Sequence, residues 1–102
     1  MAVHAKEVTL SWDPSPTETV TGYILYWDNQ STPPFKNSVD CGLVLTQLVA
    51  NLPDEDDHWF AVTAYDAAGN ESIYSNIVKS DKIEATLPEL DLDINWEFIE
   101  GH

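Results

Sequence analysis

Cations are almost missing from this chain. Its 102 residues hold four lysines and no arginine against eighteen acidic residues, a formal charge of −14 at neutral pH. A surface of that sign repels phosphate, so neither nucleic acid nor an anionic membrane is expected as a partner. A basic partner, a divalent cation, a high-salt medium or plain solubility would each account for the acidity. Cysteine is nearly absent as well. Cys41 stands alone, so no intramolecular disulfide can form, and it is expected as a small buried or half-buried residue. No apolar run reaches the roughly 18 residues that a membrane-crossing helix needs, and no transmembrane helix is expected. Met1–Ala5 has neither a basic nor an apolar stretch, so no signal peptide is expected. Val3-His4-Ala5 does resemble the small-residue end of a cleavage site, and a mature secreted form is the alternative.

Catalytic groups are equally sparse. The histidines are His4, His58 and His102, two of them near the termini, and no Gly-x-Ser-x-Gly elbow occurs. Cys41 has no histidine or positive charge near it in sequence to make a thiolate. No His or Cys pair shows metal-ligand spacing. The expectation is a protein that is not an enzyme and uses no cofactor. Two acidic turns, Asp54–Asp57 and the group Asp66, Asn70 and Glu71, gather the hard oxygens that Ca2+ prefers. Neither has the glycine and spacing of an EF-hand loop, and solvated turns are the simpler reading.

What the chain does have is alternation. Val8, Leu10 and Trp12 share one face of an extended segment that Asp13-Pro-Ser-Pro16 ends. Gly22–Trp27 is apolar on both faces, as a central or doubly covered strand is. A short strand is expected around Lys36–Asp40, then an apolar run from Leu43 to Leu52 closed by Pro53. In His58–Tyr65, Phe60, Val62 and Ala64 take one face and Trp59, Ala61, Thr63 and Tyr65 the other. Asp66–Asn70 reads as a turn and Ile73–Lys79 as a further strand. No segment keeps a helical period. Short strands with turn signals between them predict an all-β sandwich.

The motifs Val8-Thr-Leu-Ser-Trp-Asp-Pro14, Gly22-Tyr-Ile-Leu-Tyr26, Leu52-Pro53 and Phe60-Ala-Val-Thr-Ala-Tyr-Asp-Ala-Ala-Gly-Asn-Glu-Ser72, followed by Ser75-Asn76, resemble a bacterial or phage-type fibronectin type III domain. The likeness covers residues 8–78, roughly two thirds of the chain. It implies an immunoglobulin-like sandwich of two antiparallel sheets. Trp12 would be the core tryptophan, Tyr23, Leu25 and Trp27 would point inward, and Val49, Leu52, Phe60, Val62 and Ala64 would line the interior. Two departures stand out. His58 occupies the place of a tyrosine that ties down a corner in the family, and an imidazole N–H there would make a similar bond. The family also opens with a strand that pairs beside the one formed here by Val8–Trp12, and only seven residues precede Val8. That first strand is expected to be short or missing, leaving an open edge.

The end of the chain offers a replacement. In Leu90–Phe98, Leu90, Leu92, Ile94, Trp96 and Phe98 fall on one face, with Asp91, Asp93, Asn95 and Glu97 on the other. Such a strand is roughly 30 Å long and must be covered. Residues 1–79 are therefore read as the sandwich domain and 80–102 as an acidic extension with an amphipathic extra strand. The extension is expected to cross over and pair beside Val8–Trp12, in its own subunit or a neighbour's. The outward aromatics Trp59 and Tyr65 suit burial under the tail or a neighbouring strand, or a protein contact, better than a sugar platform, since no flanking polar set accompanies them. The expected interface is Leu90, Leu92, Ile94, Trp96, Phe98, Trp59 and Tyr65. The expected function is a non-catalytic structural or interaction subunit of a multi-subunit assembly, virion or filament-like, joined by β-strand addition of the tail. Its partner would be a protein, a copy of itself or another subunit. The alternative is an extracellular adhesion or carbohydrate- or protein-binding module. The corresponding locations are a virion or the cell exterior and surface.

Overall fold

The computed structural model describes residues 5–53, 57–80 and 89–92. Strands follow one another as β1 (Ala5–Trp12), β2 (Val20–Asp28), β3 (Asn37–Gly42), β4 (Thr46–Pro53), β5 (His58–Asp66), β6 (Val78–Ser80) and β7 (Glu89–Leu92). They form two sheets, one ordered β4-β1-β7 and the other β3-β2-β5-β6, with no helix among the described residues. The all-β sandwich expected from the alternation is what forms.

The core lies where the inner faces meet. Val8, Leu10 and Trp12 of β1, Val49 and Leu52 of β4 and Leu92 of β7 face Tyr23 and Leu25 of β2 and Phe60, Val62 and Ala64 of β5. Each fully buried Leu, Val or Phe in this set contributes roughly 1.5–3 kcal/mol relative to exposure. Trp12 meets Tyr23 edge-on, with ring centroids 6.0 Å apart, so the core tryptophan sits where the motif placed it. Trp27 is only partly buried, at the rim of the same cluster. Cys41 is half-buried and also packs on it.

Two expected boundaries shift, each for a local reason. The apolar run from Leu43 does not enter a strand until Thr46. Leu43, Val44 and Leu45 carry the chain from one sheet to the other and stay exposed, Leu43 by 67%. Ile73–Lys79 is a ladder only from Val78. Before that point the serines of the segment replace the ladder, as described below. The tail is not antiparallel to its neighbour: β7 runs parallel to β1, with Thr9↔Glu89, Leu10↔Leu90, Ser11↔Asp91 and Trp12↔Leu92 in register. A parallel pair cannot be closed by a tight turn and needs a long connection. Here most of the chain lies between the two strands.

A bulge marks the free edge of the β4-β1-β7 sheet. The β1–β4 register slips between Lys6/Leu52 and Val8/Val49, and Asn51 there takes φ 63°. Asparagine tolerates that left-handed conformation better than most residues. A bulge on an edge strand bends it away from edge-to-edge pairing.

Candidate functional site

The tail comes first. β7 occupies the edge of β1 opposite β4. Leu92 is 3% exposed and belongs to the core of its own chain. Leu90 contributes its backbone to the register with Leu10. Ile94, Trp96 and Phe98 lie outside the described residues. Two of the five expected tail positions are thus brought to β1.

Trp59 and Tyr65 do not form a common surface. Six residues apart on β5, they are separated by roughly 20 Å. Lys79 sets its ammonium 5.6 Å from the centre of the Trp59 ring and lies 3.6 Å from the Asp57 carboxylate. The Tyr65 hydroxyl donates to Asp40 Oδ1 at 2.7 Å. Its ring crosses the backbone of Gly22 so closely that a Cβ there would fall 2.3 Å from the hydroxyl oxygen. Both aromatics are engaged within the chain.

The outer face of β3-β2-β5-β6 carries a group that alternation did not single out. Because Tyr23, Leu25 and Trp27 turn inward, Tyr26 turns outward, and Thr63 does the same on β5. The turn after β5 supplies the rest. Asp66 Oδ1 accepts the N–H groups of Ala68 and Asn70, each at 3.0 Å, while Oδ2 accepts from the Asn70 amide at 3.1 Å. Gly69 adopts φ 91°, and the chain returns along β5. There Ser72 N–H donates to the Ala64 carbonyl at 2.8 Å, and Ser72 Oγ accepts the Ala64 N–H at 2.9 Å. Ser75 repeats this on Val62, with both distances 2.9 Å. Serine hydroxyls thus act as the acceptors that a regular strand would offer from its carbonyls.

That return path places Glu71 and Tyr74 beside Tyr26 and Thr63. Glu71 Oε2 accepts from the Tyr26 hydroxyl and from Thr63 Oγ1, the latter at 2.7 Å. Tyr74 stands edge-to-face with Tyr26 (5.0 Å, 88°) and with Phe35 (5.6 Å, 72°). Tyr26, Thr63, Glu71 and Tyr74, with Gly69, Ser72 and Ile73, line an open cleft of about 580 Å³. Burial and then the bond to Glu71 push the Tyr26 phenol up to about 12, so it remains a neutral donor. Burial, then the Glu71 charge, also raises Tyr74. Sequence reasoning missed the cleft because Glu71 was grouped with the acidic turn and Tyr74 with an ordinary strand. The outward position of Tyr26 was its one visible signal.

The acidic turn of Asp66 uses its oxygens internally. Asp66 is held below the usual carboxylate range, first by the Asn70 side chain and then by Asn70 and neighbouring N–H groups. Among the described residues, no three His, Cys, Asp or Glu side chains gather as a cation site requires. Asp54–Asp56 of the other acidic turn lie outside the described residues. His58, the expected corner histidine, is buried beside Phe60, ring centroids 6.5 Å apart. Asp28 is 1% exposed. Burial opposes its charge, yet the N–H donors of Asn29 and Lys36, with the Lys36 ammonium, outweigh it and hold the carboxyl low. It clamps the loop that carries Phe35. Burial pushes the Cys41 thiol up, away from the range of a reactive thiolate.

Comparison with protein-family models, with curated proteins and with solved structures finds no match to this chain.

Proposed function

We propose that this protein is a non-catalytic structural subunit of the fibronectin type III kind, joined to neighbouring subunits by β-strand addition of its C-terminal tail. One observation carries the reading: β7 fills the edge of β1 with a parallel ladder and sets Leu92 into the core. A strand that reaches its place by a crossover, rather than a tight turn, fits the same edge of a neighbouring copy equally well. Main-chain bonds supply the affinity and the seat of Leu92 the specificity. Exchange that closes gives a symmetric oligomer, and exchange that does not close gives a filament. A virion or an extracellular filament is the setting that suits such a subunit.

The test is complementation. A chain lacking residues 86–102 is expected to lose stability and to recover it when a synthetic 86–102 peptide is added. Light scattering after size exclusion then separates the two arrangements. Full-length protein that stays strictly monomeric at high concentration counts against exchange between subunits.

The aromatic cleft favours a second reading, an extracellular adhesion or carbohydrate- or protein-binding module. Glycan-array binding abolished by Tyr74→Ala, with the tail intact, would select it.

A further inference from the structure

We propose that the cleft between Tyr26, Glu71 and Tyr74 receives a single arginine side chain from a protein partner. The inference deepens the proposed role by naming the chemistry of a partner, and it rests on that reading only in taking the chain to be a binding subunit.

Three observations support it. The first is the state of Glu71. Both hydroxyl donors, from Tyr26 and Thr63, go to Oε2. Among the described residues, Oε1 accepts no hydrogen bond, although Glu71 lines the cleft. A carboxylate oriented by two donors on one oxygen keeps the other as a fixed acceptor. The Tyr26 phenol, neutral up to about 12, holds that arrangement through the physiological range.

The second is the arrangement of the rings. The two tyrosines stand nearly perpendicular, at 88°, and do not extend one another into one flat platform. Perpendicular rings beside a carboxylate instead form a corner, the geometry in which aromatic faces hold a cation. Guanidinium suits this corner better than ammonium. It stacks flat on one ring and donates in plane to a single oxygen, and it is the more weakly hydrated of the two.

The third is charge. The cleft belongs to a chain of net charge −14 with no arginine of its own. The field of such a protein draws cationic groups toward it and speeds their encounter. Lys36 pairs with Asp28, and Lys79 with Asp57 and Trp59.

The experiment is an NMR titration of the full chain with N-acetyl-arginine methylamide, beside its neutral isostere N-acetyl-citrulline methylamide. The expected result is a saturable shift of the amides around Gly69–Tyr74, with Kd on the order of 1 mM for so small a probe. The citrulline compound is expected to cause no such shift, and Glu71→Gln to weaken the arginine probe at least fivefold. Arginine shifts spread evenly over the acidic surface would overturn the proposal, and so would equal binding of citrulline. The wild-type shift map decides this even where Glu71→Gln fails to fold. The cleft is lined from β2, β5 and the segment after it, whereas Glu89–Leu92 pair with β1, so failure here leaves strand addition standing, and failure of the tail leaves the cleft standing.

Discussion

Strands β5 and β1 each need a partner along one edge, and the chain supplies the two partners by different means. β5 is completed locally. After the Asp66–Asn70 turn the chain folds straight back, and Ser72 and Ser75 take up Ala64 and Val62 through hydroxyl and backbone together. β1 is completed remotely, by Glu89–Leu92, a whole domain later in the chain. A nearby partner closes a short loop and costs little chain entropy, whereas a distant one costs more. The local edge therefore works with irregular backbone and side-chain acceptors. The remote edge has a ladder and a buried leucine to hold it, and it is the edge at which we propose exchange with a neighbour.

The sharpest way to break this contrast is to remove the remote partner. Deleting residues 86–102 is expected to lower unfolding free energy by about 4 kcal/mol, read from urea titration, because it removes both the ladder and the Leu92 side chain. A truncated chain that melts and assembles unchanged would show that β7 adds nothing. Leu92→Ala keeps the ladder and removes the anchor, at an expected cost of about 3 kcal/mol. A loss near zero would shift the weight to main-chain pairing. On the local edge, Ser75→Ala leaves the buried Val62 N–H without its acceptor, and a loss of about 2 kcal/mol is expected in the same titration. Ser72→Ala should match it through Ala64. If the serine variants cost more than the tail deletion, the ranking of the two edges is reversed.

The smallest expected effect is pH-dependent. Asp66, whose carboxylate sets the turn that returns Ser72 to β5, has a lowered folded pKa. Its contribution is fully present above the ordinary aspartate value of about 3.9 and is lost as pH falls through the lowered folded value. Wild type should exceed Asp66→Asn in urea midpoint at pH 7, and the gap should begin to narrow below about pH 4 and close once pH has fallen through the lowered folded value. A gap that persisted in acid would mean that the charge is not what holds the turn.

Much of the sandwich was legible because period two is a local property. Val8, Leu10, Trp12, Phe60, Val62 and Ala64 declared their inward face by alternation, and all are buried. Leu90–Leu92 was legible as extended for the same reason. The segment from Ser72 to Ile77 was not, because its apolar residues alternate as a strand's would while its serines do the bonding. Ile73 and Ile77 are exposed there instead of facing a core. Leu43, Val44 and Leu45 misled in the same way: hydrophobicity marked them for a strand, and the crossover between sheets left them in solvent. The cleft stayed hidden because its members come from β2, β5 and the return segment. No spacing within one segment records their meeting.

The sequence by itself determined the all-β class, the inward residues of the central strands and the extended course of Leu90–Leu92. Those follow from side-chain period and turn chemistry, which act within a few residues. Only the tertiary structure decided that β7 runs parallel to β1, that serine hydroxyls complete β5, and that Glu71 takes both of its donors on one oxygen. Each of those depends on which distant segments share an edge or a face. Long-range pairing fixes that choice, and a local pattern carries no record of it.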